Sequence, residues 1–303
     1  MDVNKYDQKK YCIIIASHNP NEESLFDTLV KLANMNINRI FLIDSSNHKT
    51  SGDIQLFINN LNNMSGKQNI FYQKVKNYGP GHKFNLGFDS CLRYGCDIIT
   101  LLEDDVTIDE SKFETDKILR YFHDEINPGK DMLALALWDP NANGTLAEVE
   151  AAPDFGMTLS RNLIYKIRFR EQLILDHVDI DICHRIRQNG GKIKLYPYGV
   201  MTSTPDGART SKDVPHRPPW RIYLIVRNYL ILSREYRDIT FFINSTVFNI
   251  EEMLKSYKAG EKLSDVFRAA SLGFVDSVRG RLGNTESLKF LSGNIFCDDN
   301  EMS

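Results

Sequence analysis

The chain predicts an α/β fold: a mostly parallel sheet flanked by helices, with a helical C-terminal region. Three observations carry this. Short β-branched apolar runs recur through the first half, segments of helical period separate them, and the texture turns helical beyond Pro205.

In order, "YCIIIAS" from Tyr11 is the first strand, "RIFLIDSS" from Arg39 the second, "NIFYQKV" from Asn69 the third and "DIITLLEDD" from Asp97 the fourth. Between the first two, Asn19 suits a helix cap, Pro20 suits the first turn, and Leu25, Leu29 and Leu32 recur at helical spacing. "HKFNLGFDSCLRYG" from His82 is helical and stopped by Gly95, and "DESKFETDKILRYFHDE" from Asp109 is a further helix. "MLALALW" from Met132 is a fifth strand, and "AAPDFGMTLSRNLIYKI" leads into another helix. In "LILDHVDIDICHRIRQNGGKIKLYP", Val178, Ile182 and Ile186 form a helical stripe that Gly190-Gly191 ends, before a short strand. A polar, proline-rich loop, "PDGARTSKDVPHRPPWR", precedes the apolar segment "RIYLIVRNYLILSREYR".

With 303 residues, 42% hydrophobic and 25% charged, the chain has ample core for a large domain with an appendage. A net charge of -3 supplies no global basic field, so a nucleic-acid partner is not expected. The five cysteines, Cys12, Cys91, Cys96, Cys183 and Cys297, form an odd set with no CxxC pair, which argues for a reducing compartment and against a zinc site. The opening "MDVNKYDQKK" has no apolar signal core, and no run approaches the roughly 20 apolar residues of a membrane span. A cytoplasmic protein is expected, with attachment to a membrane surface the furthest departure.

In open parallel sheets, ligands bind beyond the C-terminal strand ends. That rule singles out Ser17, His18 and Asn19 after the first strand, Asp44 and Ser45 after the second, and Glu103, Asp104 and Asp105 after the fourth. Three successive carboxylates repel one another. Mg²⁺ and Mn²⁺ prefer oxygen ligands, and Mg²⁺ in particular is usually held by one or two carboxylates with phosphates completing its shell, so the cluster suits a metal-diphosphate complex; an ordinary solvated acidic loop is the plain reading. "NYGPGHKFNLG" fails as a dinucleotide fingerprint, because Phe84 stands where GxGxxG counted from Gly79 needs glycine.

The ordered set "SHN", "IDSS", "NYGPGHKFNLGFDSCL", "LLEDDV", "FGMTLSRNLIYKI" and "DHVDIDICHRIRQNGGKI" resembles family 2 glycosyltransferases of the GT-A (Rossmann-like) fold. "RIYLIVRNYLIL" and "ASLGFVDSVRGRLG" look like its rhamnosyltransferase and galactofuranosyltransferase branch, so the likeness runs from about Tyr11 to Gly283. The resemblance implies residues 1–215 as a nucleotide-sugar-binding catalytic domain and 216–303 as a helical region for acceptor, oligomer or membrane-surface contacts. It puts Asp104 and Asp105 at a divalent cation (Mn or Mg) and the donor diphosphate, with Glu103 first in the triplet. Asp44 would sit over the base of a UDP- or dTDP-linked donor, with Ser17 and Asn19 beside base and ribose. Gly79, Gly81 and Asn85 would shape the donor loop, and Lys83 would meet phosphate. For Asp44 an Asx turn is an equal reading, and for the glycine segment a plain loop.

Inverting transfer to a hydroxyl of a glycan or lipid-linked acceptor needs a carboxylate base. Asp176, Asp179 and Asp181 are candidates, the resemblance places Asp179 at the base position, and helix capping is the plain reading. Related enzymes carry a metal-binding histidine where this chain has Thr202 or Ser203; His216 is the nearest loop histidine. The resemblance also makes Arg227 and Asn228 donor or acceptor contacts. An inactive sugar-nucleotide-binding protein and a sugar nucleotidyltransferase are the rival readings. "HRPPWRIYLIVRN" is open to an anionic membrane surface, to packing on the catalytic domain or to an oligomer contact.

Overall fold

The computed structural model describes residues 10–135, 147–197, 201–203, 217–293 and 295–296. The chain divides into two compact units, the first comprising residues 1–76, 82–169 and 182–204 and the second 77–81, 170–181 and 205–303. Two short segments from ahead of residue 182 therefore group with the C-terminal helices.

The sheet-forming part contains, in chain order, β1 (Tyr11–Ser17), α1 (Glu22–Asn34), β2 (Arg39–Asp44), α2 (His48–Ser65), β3 (Ile70–Lys74), α3 (Pro80–Tyr94), β4 (Ile98–Glu103), β5 (Val106–Ile108), α4 (Thr115–Glu125), β6 (Met132–Ala134), β7 (Glu148–Val149), β8 (Met157–Ser160), α5 (Arg161–Ile164), α6 (Val178–Gln188), β9 (Ile193–Leu195) and β10 (Met201–Ser203). Eight strands bond in the order β3-β2-β1-β4-β8-β6-β9-β7, while β10 pairs with β5. β1 lies parallel to both β2 and β4, and all seven of its residues are buried. A strand covered on both faces gains from apolar residues at every position, which is why its sequence shows no alternation. The expected mostly parallel α/β sheet is present, with β8 inserted antiparallel between β4 and β6.

Register aligns the strand ends: Ser17 lies opposite Asp44, and Ala16 opposite Glu103. The chain moves from β1 outward through β2 to β3 and returns on the other side as β4, so a topological switch falls between β1 and β4. α3 presses closely on this centre, since a Cβ at Gly87 would lie 2.4 Å from Cγ2 of Ile14. A hydroxyl chain crosses the buried sheet, Tyr11 to Thr100 at 2.7 Å and Thr100 to Thr158 at 2.7 Å.

Several elements depart from expectation. The cap of α1 is Asn21, whose side chain accepts from the Ser24 amide, while Asn19 lies in the preceding turn with φ 49°. α2 and β8 are elements the apolar pattern passes over: α2 buries only Ser51, Ile54 and Ile58, and β8 has four residues. Cys12 and Cys96 form a disulfide with Cα atoms 6.1 Å apart, while Cys91 and Cys183 are free and buried. The pairing of β1 with β4 creates that bond between residues 84 apart in sequence, a proximity that local cysteine spacing does not reveal.

The second unit holds α7 (Pro219–Tyr236), α8 (Ile239–Lys258), α9 (Leu263–Val278) and α10 (Glu286–Ser292). α7 is its core rather than a membrane-surface helix: Ile222, Tyr223, Leu224, Val226 and Leu232 are buried. Gly273 lets α9 approach α7, because a Cβ there would lie 2.7 Å from the Tyr223 carbonyl oxygen. Among the described residues no helix is long and apolar enough to cross a membrane.

Candidate functional site

The first group of candidate residues gathers at the strand ends of the first unit. Glu103 closes β4, and Asp104 and Asp105 form the turn into β5. The Glu103 carboxyl is held well above the ordinary carboxylate range, first by the charge of Asp154, then by burial and by Asp105 and Asp104; Lys83 opposes this. Asp154 precedes β8 and is a residue that sequence reasoning missed. The only signal for it was a carboxylate ahead of an unrecognised strand.

Lys83 is buried, and its ammonium donates to the Ser17 carbonyl at 2.9 Å and to Ser45 Oγ at 3.2 Å. Burial lowers its pKa, against the attraction of Asp104, Glu103 and Asp44. It thus acts as an internal counter-charge whose donors are committed to the β1 and β2 ends, a different arrangement from the expected direct reach to phosphate. Asp104 accepts the His18 amide at 2.7 Å, tying the acidic turn to β1. The His18 ring donates from Nδ1 to the Ser45 carbonyl at 3.0 Å, and burial and Lys83 lower its pKa, so the imidazole is neutral.

Asp44 is fully buried, and its carboxylate accepts from the Ser46 amide at 3.0 Å, Ser51 Oγ at 2.7 Å, Tyr72 OH at 2.9 Å and the Ser46 hydroxyl. This is an Asx turn reinforced by three hydroxyls, and it commits the carboxylate to the β2–α2 connection instead of leaving it open over a base. Asn19 completes that connection: its amide donates to Ser46 Oγ at 2.7 Å, and its Oδ1 accepts from the Asn47 amide at 3.0 Å. Ser17 is buried, and its Oγ has no hydrogen-bond partner among the described residues.

Thr202 and Ser203 lie opposite Thr107 and Val106 in the β10–β5 ladder, directly after the acidic turn. His216 lies outside the described residues. Hard carboxylate oxygens, crowded enough to raise Glu103, fit a divalent cation shared with phosphate oxygens. Among the described residues no group of three or more His, Cys, Asp or Glu side chains is arranged to hold an ion, so these residues alone would supply part of the shell.

The second group, including Gly81 and Asp179, belongs to the second unit. Just before α6, Ile174, Asp176 and His177 all have positive φ, at 67°, 54° and 67°. Such conformations in non-glycine residues are strained and persist only where surrounding bonds impose them. Asn228 imposes them here, its amide donating to the carbonyls of Leu173 at 2.9 Å, Leu175 at 2.8 Å and Asp176 at 3.0 Å. Arg227 donates to the carbonyls of Gly283 at 2.8 Å and Leu173 at 3.2 Å. Both side chains are fully buried and committed to backbone oxygens, which corrects their assignment as donor or acceptor contacts. Gly79, at φ 88°, faces the Ile174 carbonyl so closely that a Cβ would lie 1.7 Å from its oxygen; Gly81 is buried in the first turn of α3.

The three aspartates separate by environment. Asp176 is in a two-pronged ion pair with Arg221 at 2.9 to 3.2 Å. Asp181 is fully buried, accepts Tyr236 OH at 3.0 Å and lies 3.8 Å from Arg170 Nε. Asp179 accepts the Ile180 amide at 2.8 Å, and burial, with a smaller push from Asp176, raises its pKa to about 6. His177 packs on Tyr229 with ring centres 3.8 Å apart, and burial lowers its pKa to about 4.

No known protein family and no curated protein matches this sequence. Solved structures do. The chain is similar to the mannosyltransferase PcManGT from Pyrobaculum calidifontis, in complex with GDP-Man and Mn2+, at 11% identity and TM-score 0.54, covering 90% of this chain and 88% of that one. It also aligns with S. aureus TarS 1-349 in complex with UDP, at 15% identity and TM-score 0.49, over 89% of this chain and 72% of that one. At such identities the first likeness shows a shared GT-A-like fold, and the second adds no argument.

Proposed function

We propose that the protein is an inverting glycosyltransferase that moves a sugar from a UDP- or dTDP-linked donor to a hydroxyl of a glycan or lipid-linked acceptor, with a rhamnosyl or galactofuranosyl donor the favoured case. The observation that carries this is the crowded acidic cluster at the end of β4 beside the topological switch, where Asp154, burial, Asp105 and Asp104 together push the Glu103 carboxyl well above the ordinary range. Asp104 and Asp105 would hold the divalent cation, which when bound neutralises charge developing on the diphosphate leaving group. Lys83 offsets the cluster from beneath, and the turn held by Asp44 and Asn19 positions the β1 and β2 ends, with Ser17 beside the donor. Gly81 is assigned to the donor loop.

Asp179 is the proposed base, because among the described residues it is the one aspartate of its segment with neither an ion pair nor a side-chain donor and with a raised pKa. It takes the acceptor hydroxyl proton as that oxygen bonds to the anomeric carbon, and the bond from that carbon to the diphosphate oxygen breaks with its electron pair leaving on the nucleoside diphosphate. An assay with UDP- and dTDP-sugars and Mn²⁺ tests the reading. Release of free nucleoside diphosphate with acceptor glycosylated supports it; pyrophosphate released from a nucleoside triphosphate would assign a nucleotidyltransferase, and tight donor binding without turnover an inactive binding protein.

A further inference from the structure

α8 is built inside out. Its four buried positions are the polar Ser245, Asn249, Glu252 and Ser256, while Phe241, Phe248 and Met253 are half-buried on the same side. The buried positions are tied in by polar contacts: Glu252 pairs with Arg217 at 2.7 Å and Lys255 at 2.6 Å, and Ser256 Oγ donates to the Arg217 carbonyl at 2.6 Å. Its outward face carries Ile243, Val247, Ile250, Leu254 and Tyr257, each 51% to 54% exposed, continued by exposed Ile239 and Phe242. An amphipathic helix normally turns its apolar stripe inward, and an apolar stripe turned to solvent marks a surface that something covers.

We propose that a second copy of this chain covers it, with α8 packing against α8 of a symmetry-related copy. The five central residues follow one another at intervals of 4, 3, 4 and 3, the spacing of a heptad seam that takes knobs-into-holes packing from another helix. The stripe's seven side chains, 45% to 71% exposed, run the length of α8 and would form the apolar centre of a standard interface of about 800 Å² per partner. A bilayer is the poorer occupant. Membrane-surface helices carry Lys or Arg along the polar flanks, and α8 has none from Ile239 to Leu254, where the one exposed charge is Glu251. A closed two-fold pair also buries the same stripe on both copies and leaves no apolar edge to propagate.

Sedimentation or light scattering of the full chain at low micromolar concentration reads the result. The expected mass is twice 34.8 kDa, and Ile250→Glu or Leu254→Glu should raise the dimer dissociation constant by roughly 100-fold or more while leaving circular dichroism and melting cooperativity unchanged. Val247→Lys, at another seam position, repeats the test should either glutamate variant misfold. A monomer at every concentration overturns the proposal, as does a dimer that survives all three substitutions. Flotation of a monomeric protein with phosphatidylcholine and phosphatidylglycerol vesicles would overturn it in favour of the bilayer.

Discussion

The protein carries two groups of aspartates that store energy in different forms. At the end of β4 the backbone is regular and the strain is electrostatic: Asp104, Asp105 and Asp154 crowd Glu103, and Lys83 offsets them in part. Ahead of α6 the charges are largely settled, by Arg221 on Asp176 and Tyr236 on Asp181, and the strain is in the backbone, at Ile174, Asp176 and His177. Charge strain is relieved by a ligand of opposite sign, whereas backbone strain is held by a clamp and serves to orient what it carries. Under the proposed function, the first group would bind a cation with a diphosphate, and the second would present one carboxylate.

The sharpest way to break this contrast is to remove the presented carboxylate. Asp179→Asn should lower turnover roughly 100- to 10,000-fold while the rise in melting temperature caused by donor persists, as measured by rate assays beside thermal shift. Unaltered turnover would strip Asp179 of its role. Next in size is the clamp. Asn228→Ala takes away the donor that the Leu175 and Asp176 carbonyls share, while Leu173 keeps Arg227, and a loss of about 2–3 kcal/mol is expected in urea unfolding, with turnover falling alongside. A loss no larger than that of an ordinary surface substitution would show that the strained segment holds itself.

Asp44→Asn sharpens the comparison from the other side. It removes the charge that four donors share, so about 1–3 kcal/mol of stability should go, with donor affinity reduced only through loosening of the β2–α2 turn. A large affinity loss with unchanged stability would return Asp44 to the nucleotide base.

The smallest effects are those of pH. The His177 pKa falls from 6.5 to about 4 on folding, so the unfolded chain binds more protons between those values, and stability should decline as pH drops from 6.5 toward 4. Asp179 runs oppositely. Its folded pKa of about 6 exceeds its ordinary value of 3.8, so its contribution favours the protonated state and is lost as pH rises from about 4 through about 6. Asp179→Asn should therefore raise the melting temperature by a few degrees at pH 8 and by less at pH 5, a roughly 1–3 kcal/mol effect at most.

The two regions were unequally legible in the sequence. Buried parallel strands are near-continuous apolar runs, so β1 to β4 and their ends could be read directly, and with them Ser17, Asp44 and the acidic triplet. Asp154 could not be read, because β8 is short and enters antiparallel from a distant part of the chain. The positive φ values at Ile174, Asp176 and His177 leave no local mark either. They are imposed by Asn228, more than 50 residues on, whose surroundings in "IVRNYL" are those of an ordinary buried helix. Lys83 stood out in the sequence beside the glycine segment, but the bonds of its ammonium to Ser17 and Ser45 depend on the buried sheet ends and left no local mark. The apolar seam of α8 was written in plain heptad spacing, and it became informative only when the structure showed which face of the helix is buried.

The central claim is that the turn after β4 is a cation-dependent diphosphate site. Thermal shift of the wild-type chain and of Asp104→Asn and Asp105→Asn variants, each with UDP or dTDP in the presence and absence of Mn²⁺, tests it most directly, because a ligand bound by the native state raises the melting point by mass action. The account predicts a rise for the wild type that needs nucleotide and ion together and that disappears in both variants. Equal rises in wild type and variants, or indifference of the wild type to every nucleotide with Mn²⁺, would contradict it.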